Sequence, residues 1–176
     1  MNLVLIGYRG CGKTTIGRLL ASRLGWSFVD TDALIEEGTG ATIRELFSDG
    51  AEQAFRDLES EVVAEVARRD RQVISTGGGV VLRASNPAAL KRNGKIVWFT
   101  APAEVLWRRI LGDKARLVNR PPADRSRGLE IVTRALAVRE PLYARWADVV
   151  MDTRHRSPAE LVDEVLAALH IPFERA

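Results

Sequence analysis

Eight residues, Gly7-Tyr8-Arg9-Gly10-Cys11-Gly12-Lys13-Thr14, follow directly on the apolar run Leu3-Val4-Leu5-Ile6 and lead into a helical pattern. A strand, a Gly-x-x-x-x-Gly-Lys-Thr loop and a helix together make a phosphate cradle. Each residue type has a task there. Gly7, Gly10 and Gly12 let the chain turn with positive φ and bring bare N–H groups onto phosphate oxygens. Lys13 is a mobile point charge for β- and γ-phosphates, and the Thr14 hydroxyl can ligate Mg²⁺. The helix starting near Lys13 adds the positive end of its dipole. Gly10, Cys11, Gly12, Lys13, Thr14 and Thr15 are the expected nucleotide-binding residues. A glycine-rich turn that binds nothing is the plain alternative, but the flanking strand and helix are the context the motif requires.

Further acids, arginines and glycines occur where they could complete such a site. Asp30 and Asp32, in Phe28-Val29-Asp30-Thr31-Asp32, lie two apart after an apolar stretch, which in an extended chain turns both carboxylates to one side. One could hold the waters of a metal, and the other could accept or orient a hydroxyl proton. Capping of the following helix by Asp32 is the competing reading. Arg56 and Glu59 stand three apart in a helical pattern and can touch. On spacing alone they form a solvated ion pair; as a buried pair the carboxylate would hold the guanidinium for an anionic ligand. Gly77-Gly78-Gly79 exceeds what a turn needs and would admit a ligand where any Cβ would clash, the alternative being a hinge. Arg139 precedes Pro141, whose missing donor should kink the helix and could aim Arg139 inward. Arg108, Arg109, Arg154 and Arg156 are weak signals by themselves, since arginine pairs with phosphate, stacks on a base or simply faces water.

Positioning these groups requires a scaffold, and the chain alternates short β-rich runs with longer helical ones. That alternation predicts parallel strands joined by crossover helices. Strands are expected at Leu3–Ile6, Ser27–Val29, Gln72–Ser75, Ile96–Phe99 and Asp148–Met151. Helices are expected at Thr14–Leu24, Gln53–Arg69, Pro87–Arg92, Ala103–Leu111, Leu129–Arg145 and Pro158–Leu169, with short ones around Asp32–Glu36 and Ile43–Phe47. Phe55, Leu58, Val62 and Val66 are the expected buried face of the second long helix. Asp30, Thr76 with the glycines, and Thr100 all end strands, so they should gather near the phosphate loop at the carboxyl edge of the sheet. From Gly112 to Gly128 the sequence is polar, proline-containing and arginine-rich, and reads as an irregular functional lid or a disordered loop.

The 176 residues, 46% hydrophobic and 28% charged, fit one globular domain over 1–176 with a sizeable core. No apolar stretch approaches the roughly 18 residues of a membrane span, and the start has no basic leader, so neither a membrane nor a secretory role is expected. Cys11 is the only cysteine, which rules out an intrachain disulfide and suits a reducing cytoplasm. A net charge of +3 suits an anionic partner, but no long basic run or aromatic-rich motif points to nucleic acid. The four tryptophans read as packing and the two histidines as solvent-facing. A monomer is the default expectation.

Taken in order and spacing, Gly7–Thr14, Asp30-Thr31-Asp32, Phe55-Arg56-x-x-Glu59, Gly77-Gly78-Gly79, Arg120-Pro121 and Arg139-x-Pro141-Leu142-Tyr143 resemble the shikimate kinases, over Met1 to about Leu169. The resemblance implies a three-layer α/β/α P-loop fold with a five-stranded parallel sheet in the order 2-3-1-4-5, a substrate-binding region at about 32–60 and a lid at about 112–128. It also implies ATP and Mg²⁺ as cofactors and shikimate as the small-molecule partner. By resemblance, Thr14 and Asp30 (with Ser75) would serve the metal, and Lys13, Asp32 and Arg120 would be catalytic. Asp32, Arg56, Arg139 and the backbone of Gly77, Gly78 and Gly79 would grip shikimate. Arg109 and Arg156 would flank adenine, with Arg120 reaching the nucleotide from the lid. This chain departs from the family's usual Arg-Pro-Leu-Leu at Arg120-Pro121-Pro122-Ala123, and Arg116 competes for the lid role. The rivals are a related P-loop kinase of the gluconate type and a nucleotide-binding regulatory module without transfer.

Overall fold

The computed structural model describes residues 1–47, 51–114 and 122–171. The elements run β1 (Asn2–Ile6), α1 (Lys13–Leu24), β2 (Ser27–Asp30), α2 (Thr31–Thr39), α3 (Ile43–Leu46), α4 (Glu52–Val66) and β3 (Gln72–Ser75). A 3-10 turn at Val80–Leu82 leads into α5 (Ser85–Arg92), β4 (Gly94–Thr100), α6 (Ala103–Lys114), α7 (Pro122–Trp146), β5 (Val149–Asp152) and α8 (Pro158–Ala168). All five strands are parallel, in the order β2-β3-β1-β4-β5. The order is the one implied by the resemblance, and the strands fall within two residues of their expected bounds.

Alternation along β1 builds the two sides of the sheet. Leu3 and Leu5 pack with Leu20 of α1, Leu106 of α6 and Leu161 of α8. Val4 and Ile6 turn the other way, onto Val63 and Val66 of α4 and Leu90 of α5. Every residue of β1 is buried, as a central strand covered on both faces must be. α7 takes part in both layers: Val132 and Leu136 belong to the first cluster and Tyr143 to the second. This one helix therefore spans the molecule from layer to layer, which brings Arg139 toward the phosphate loop.

Two local expectations differ from the structure, at the Gly112–Gly128 stretch and on the face of α4. α6 continues to Lys114 and α7 begins at Pro122, so helix enters the Gly112–Gly128 stretch from both sides. Proline is favoured at the first helical position, where its missing N–H costs no hydrogen bond. The ring of Trp107 then lies against the bare backbone of Gly128, in space an alanine methyl would occupy, and holds α6 against α7. Pro141 lies inside α7, as the expected helix over Leu129–Arg145 had it, and the helix continues to Trp146. On α4 the buried stripe is Phe55, Arg56, Glu59, Val63 and Val66, with Leu58 and Val62 only half-buried. Glu59 and Val63 thus take the places that hydrophobic spacing gave to Leu58 and Val62, and Arg56 is buried beside Phe55.

Candidate active site

Gly7, Gly10 and Gly12 all adopt positive φ, as the phosphate cradle requires. Gly12 caps α1 and has no side-chain oxygen to offer, so the first amides of the helix are left for an anion. Lys13 is buried and its Nζ donates to the carbonyls of Gly7 at 2.8 Å and Tyr8 at 3.0 Å, with Cys11 Sγ at 3.6 Å. The ammonium is folded back over the loop that would hold the phosphates. Thr14 Oγ1 donates to Asp30 Oδ2 at 3.0 Å, which puts a hydroxyl and a carboxylate side by side at the head of α1. Such hard oxygen donors suit Mg²⁺, which keeps most of its waters and takes one or two protein ligands beside phosphate oxygens. Ser75 is buried opposite Asp30 in the β2–β3 register.

Capping of α2 falls to Asp30 and not to Asp32. Asp30 Oδ1 accepts from the amides of Asp32 at 3.2 Å and Ala33 at 3.4 Å. The helix starts at Thr31, so Asp32 lies in its first turn, not in extended chain, and its carboxylate is spared for the pocket. Burial, then the nearby carboxylates of Asp30 and Glu59, push the Asp32 carboxyl up to about 6, against the opposing pull of Lys13. A carboxyl with a pKa near the working pH is suited to exchanging a proton.

Arg56 and Glu59 form a buried ion pair, the solvated alternative being overturned. Arg56 Nη1 donates to Glu59 Oε2 at 2.8 Å, and Glu59 is 1% exposed. Glu52 approaches the other guanidinium nitrogen at 3.5 Å, and the guanidinium carbon stands 5.1 Å from the Phe55 ring centre and 5.6 Å from that of Phe47. Glu59 Oε1 is buried without a hydrogen-bond partner, and burial raises this carboxyl against the lowering effect of Arg56.

The triple glycine explains itself against these side chains. A Cβ on Gly77 would meet Asp32 Oδ1 at 2.6 Å and Glu59 Oε1 at 3.1 Å, and one on Gly79 would coincide with the Arg56 guanidinium. Gly78 faces the phosphate loop: its Cβ position lies 3.5 Å from Gly7 O and from Arg9 N. The expectation was clearance for a ligand; the finding is that clearance first admits the site's own acids and guanidinium. Gly79→Ala is therefore expected to displace the Arg56 head group and break its contact with Glu59. The lost buried contact should cost about 1–3 kcal/mol of unfolding free energy, which denaturant unfolding of the two proteins checks.

Arg139 does point inward. Its Nη1 donates to Gly78 O at 3.2 Å, and its guanidinium stands 5.4 Å from the Tyr8 ring centre. Arg109 bridges the phosphate loop to the end of β5, donating to Gly10 O at 3.4 Å, Thr153 Oγ1 at 2.8 Å and Thr153 O at 2.6 Å. Arg156 lies nearby, donating to Asp152 O at 3.0 Å and pairing with Glu164 at 2.9 Å. Arg120 and Arg116 lie outside the described residues. Two residues that the sequence reading gave no binding role belong here: Glu59, legible from its spacing to Arg56, and Tyr143, one helical turn beyond Arg139.

A family model described as shikimate kinase matches residues 9–170. A shikimate kinase of Symbiobacterium thermophilum is 44% identical, over 99% of this chain and 99% of that protein. One from Moorella thermoacetica is 42% identical, over 96% and 94%. Among solved structures, shikimate kinase from Acinetobacter baumannii in complex with shikimate superposes with a TM-score of 0.86 at 34% identity, covering 96% of this chain and 92% of that one. A gluconokinase from Sinorhizobium meliloti, at 19% identity and a TM-score of 0.60, shares the fold alone. With the phosphate loop, the Asp32–Arg56–Glu59 pocket and the triple glycine assembled at one edge of the sheet, these matches show that the chain belongs to the shikimate kinase family.

Proposed function

We propose that the protein transfers the γ-phosphoryl group of ATP to the 3-hydroxyl of shikimate through the residues gathered at the carboxyl edge of the sheet. Phosphorylation of shikimate with ATP is the activity of the family, and the observation that carries the residue assignment is the abutment of Gly78 on the phosphate loop. It sets a pocket of guanidinium groups and glycine backbone against the place where a triphosphate would end. Arg56 and Arg139 pair with the substrate carboxylate, two planar forks meeting one planar anion. Asp32 accepts the hydroxyl proton, and Gly77 and Gly79 make way for Asp32 and the Arg56 guanidinium, so that these side chains and the glycine backbone line the substrate's place together.

Phosphoryl transfer passes through a loose transition state, so position and charge matter more than base strength. Gly10, Cys11, Gly12, Thr14 and Thr15 hold the phosphates with Lys13, which trades its loop carbonyls for phosphate oxygens. Thr14, with Asp30 beside it, would hold Mg²⁺, which when bound would neutralise phosphate charge. Arg109 and Arg156 border the adenine. Arg120, in the lid assigned to about 112–128 and outside the described residues, is the arginine that would meet the moving phosphoryl group, and a closed lid would exclude water that otherwise takes it. The substrate-binding region at about 32–60 belongs to the same single domain, 1–176. The protein works as a monomer in the cytoplasm, a setting that suits the free, buried Cys11. Among the described residues no helix is long and apolar enough to cross a membrane.

The direct test is ADP release coupled to a reporter enzyme, with ATP and Mg²⁺ and either shikimate, gluconate or no acceptor. Release that depends on shikimate is expected; release with gluconate, or indifferent to acceptor, would overturn the assignment. For the carboxylate contacts, Arg139→Ala should raise the KM for shikimate by about 10–100-fold, the worth of a lost charge-assisted hydrogen bond, and leave the KM for ATP alone. An effect on ATP only would contradict the role given to Arg139.

A further inference from the structure

Gly78 presents its carbonyl to α7, where two donors converge on it. Tyr143 Oη donates to Gly78 O at 2.5 Å, and Arg139 Nη1 reaches the same oxygen at 3.2 Å. Tyr143 is wholly buried and belongs to the core cluster that also holds Val80 and Val81, the residues following the glycines. Its ring packs on Trp98 of β4 with the centres 5.7 Å apart. The phenol is therefore fixed by packing and reaches out of the core to one oxygen atom.

That oxygen orients more than itself. A peptide unit is planar and trans, so the C=O of Gly78 and the N–H of Gly79 point in opposite directions. Glycine has the freest backbone of any residue, and three in a row would let this peptide rotate. With the carbonyl held on the α7 side, the Gly79 amide is turned away from α7, and Gly79 is where a Cβ would run into the Arg56 guanidinium. We propose that Tyr143 is a positioning residue that pins the Gly78 carbonyl and so holds the Gly78–Gly79 peptide in the orientation that offers its amide to the acceptor substrate.

Arg139 is charged, half-buried and placed to meet an anionic substrate, so its hold on the Gly78 oxygen is the one a carboxylate would compete for. When it turns to an anionic substrate, a neutral buried phenol remains as the holder of the peptide. Burial raises the Tyr143 hydroxyl far above the ordinary tyrosine range, so it is a neutral donor at neutral pH. A lysine or arginine in that role would itself compete for the carboxylate, whereas a phenol does not.

The inference rests on the reading of Gly78, Gly79 and Arg56 as the shikimate pocket, and the experiment separates the two. Tyr143→Phe removes one oxygen atom and keeps the ring and its packing, so it serves as the test variant, with Arg56→Ala as control. The KM for shikimate in Tyr143→Phe should rise about fivefold, the effect of one neutral hydrogen bond, with kcat changed less than twofold and the KM for ATP unchanged. In thermal melts, shikimate should raise the midpoint of Tyr143→Phe less than that of the unsubstituted protein at the same concentration, whatever the two ligand-free midpoints. An unchanged KM and melt shift in Tyr143→Phe, with a raised KM in Arg56→Ala, would overturn the pinning and leave the pocket standing. Equal losses in kcat and both KM values would make Tyr143 a general packing residue and overturn it too. If Arg56→Ala leaves the KM for shikimate unchanged, the pocket assignment falls and the role of Tyr143 falls with it.

Discussion

Lys13→Ala is expected to lower kcat by at least about 10²–10³-fold, the loss seen when one preorganised donor is removed from a developing negative charge. The structure makes the reason specific. The ammonium is buried inside the loop, held by the carbonyls of Gly7 and Tyr8. Those carbonyls keep it beside the cradle, so that exchanging them for phosphate oxygens on binding puts the charge in place before the phosphoryl group moves. Truncation to alanine removes the charge and also frees two loop carbonyls, which should loosen the loop's positive-φ turns. Arginine is no substitute, because a planar fork is a poor fit where a compact ammonium sits between two carbonyls. Single-turnover measurement at saturating ATP and shikimate reads the effect on chemistry. Turnover within a factor of two of the unsubstituted protein would remove Lys13 from the phosphate site.

Asp32→Asn should show two effects of opposite sign. Turnover should fall by about 10²–10⁴-fold if the carboxylate accepts or orients the substrate proton. Stability of the ligand-free protein should rise at pH 8. The Asp32 carboxyl titrates at about 6 in the fold, against an ordinary value near 3.8, with burial as the main cause and the Asp30 and Glu59 carboxylates next. A carboxyl whose pKa is raised by folding favours the folded state while protonated and costs stability once it ionises. That cost is absent below about pH 4, sets in as the pH rises toward 6, and is complete above it. Two units correspond to about 3 kcal/mol, and because Asp32 is only half-buried, solvent screening brings the expected gain down to about 1–2 kcal/mol. Denaturant unfolding of both proteins at pH 4 and pH 8, without nucleotide or metal, gives the comparison. A gain at pH 8 that vanishes at pH 4 is expected; a loss at pH 8 would mean that Asp32 has a stabilising partner. The acid is then an example of stability given up at a functional site.

How far the primary structure could be read differs from element to element. β3 was legible to the residue because the β-branched pair Val73-Ile74 of Gln72–Ser75 stands between polar Arg71 and the glycines, and a buried parallel strand is short and bounded by such breaks. The start of α7 was not legible. Pro121-Pro122 reads as a break, yet Pro122 is the first residue of a helix whose early turns are held by Trp107 on Gly128, a contact across two helices. The face of α4 was off by one position in its middle, because hydrophobic spacing counts Leu58 and Val62 as core and cannot see that Arg56 and Glu59 neutralise each other. The competition between Asp30 and Asp32 for the cap turned on where α2 begins, a boundary one residue wide.

From residues in order came the phosphate loop, the parallel α/β build and the roster of charged groups, because these depend on local chemistry: a glycine where φ is positive, an apolar run where a strand is covered on both faces. Tertiary packing alone decided that Arg56 and Glu59 are buried together, that Gly77 and Gly79 make way for Asp32 and Arg56, and that Tyr143 and Arg139 converge on Gly78 O. Each of these joins segments more than twenty residues apart or changes the dielectric around a pair. Such effects arise only when the chain closes on itself and water leaves the space between the parts.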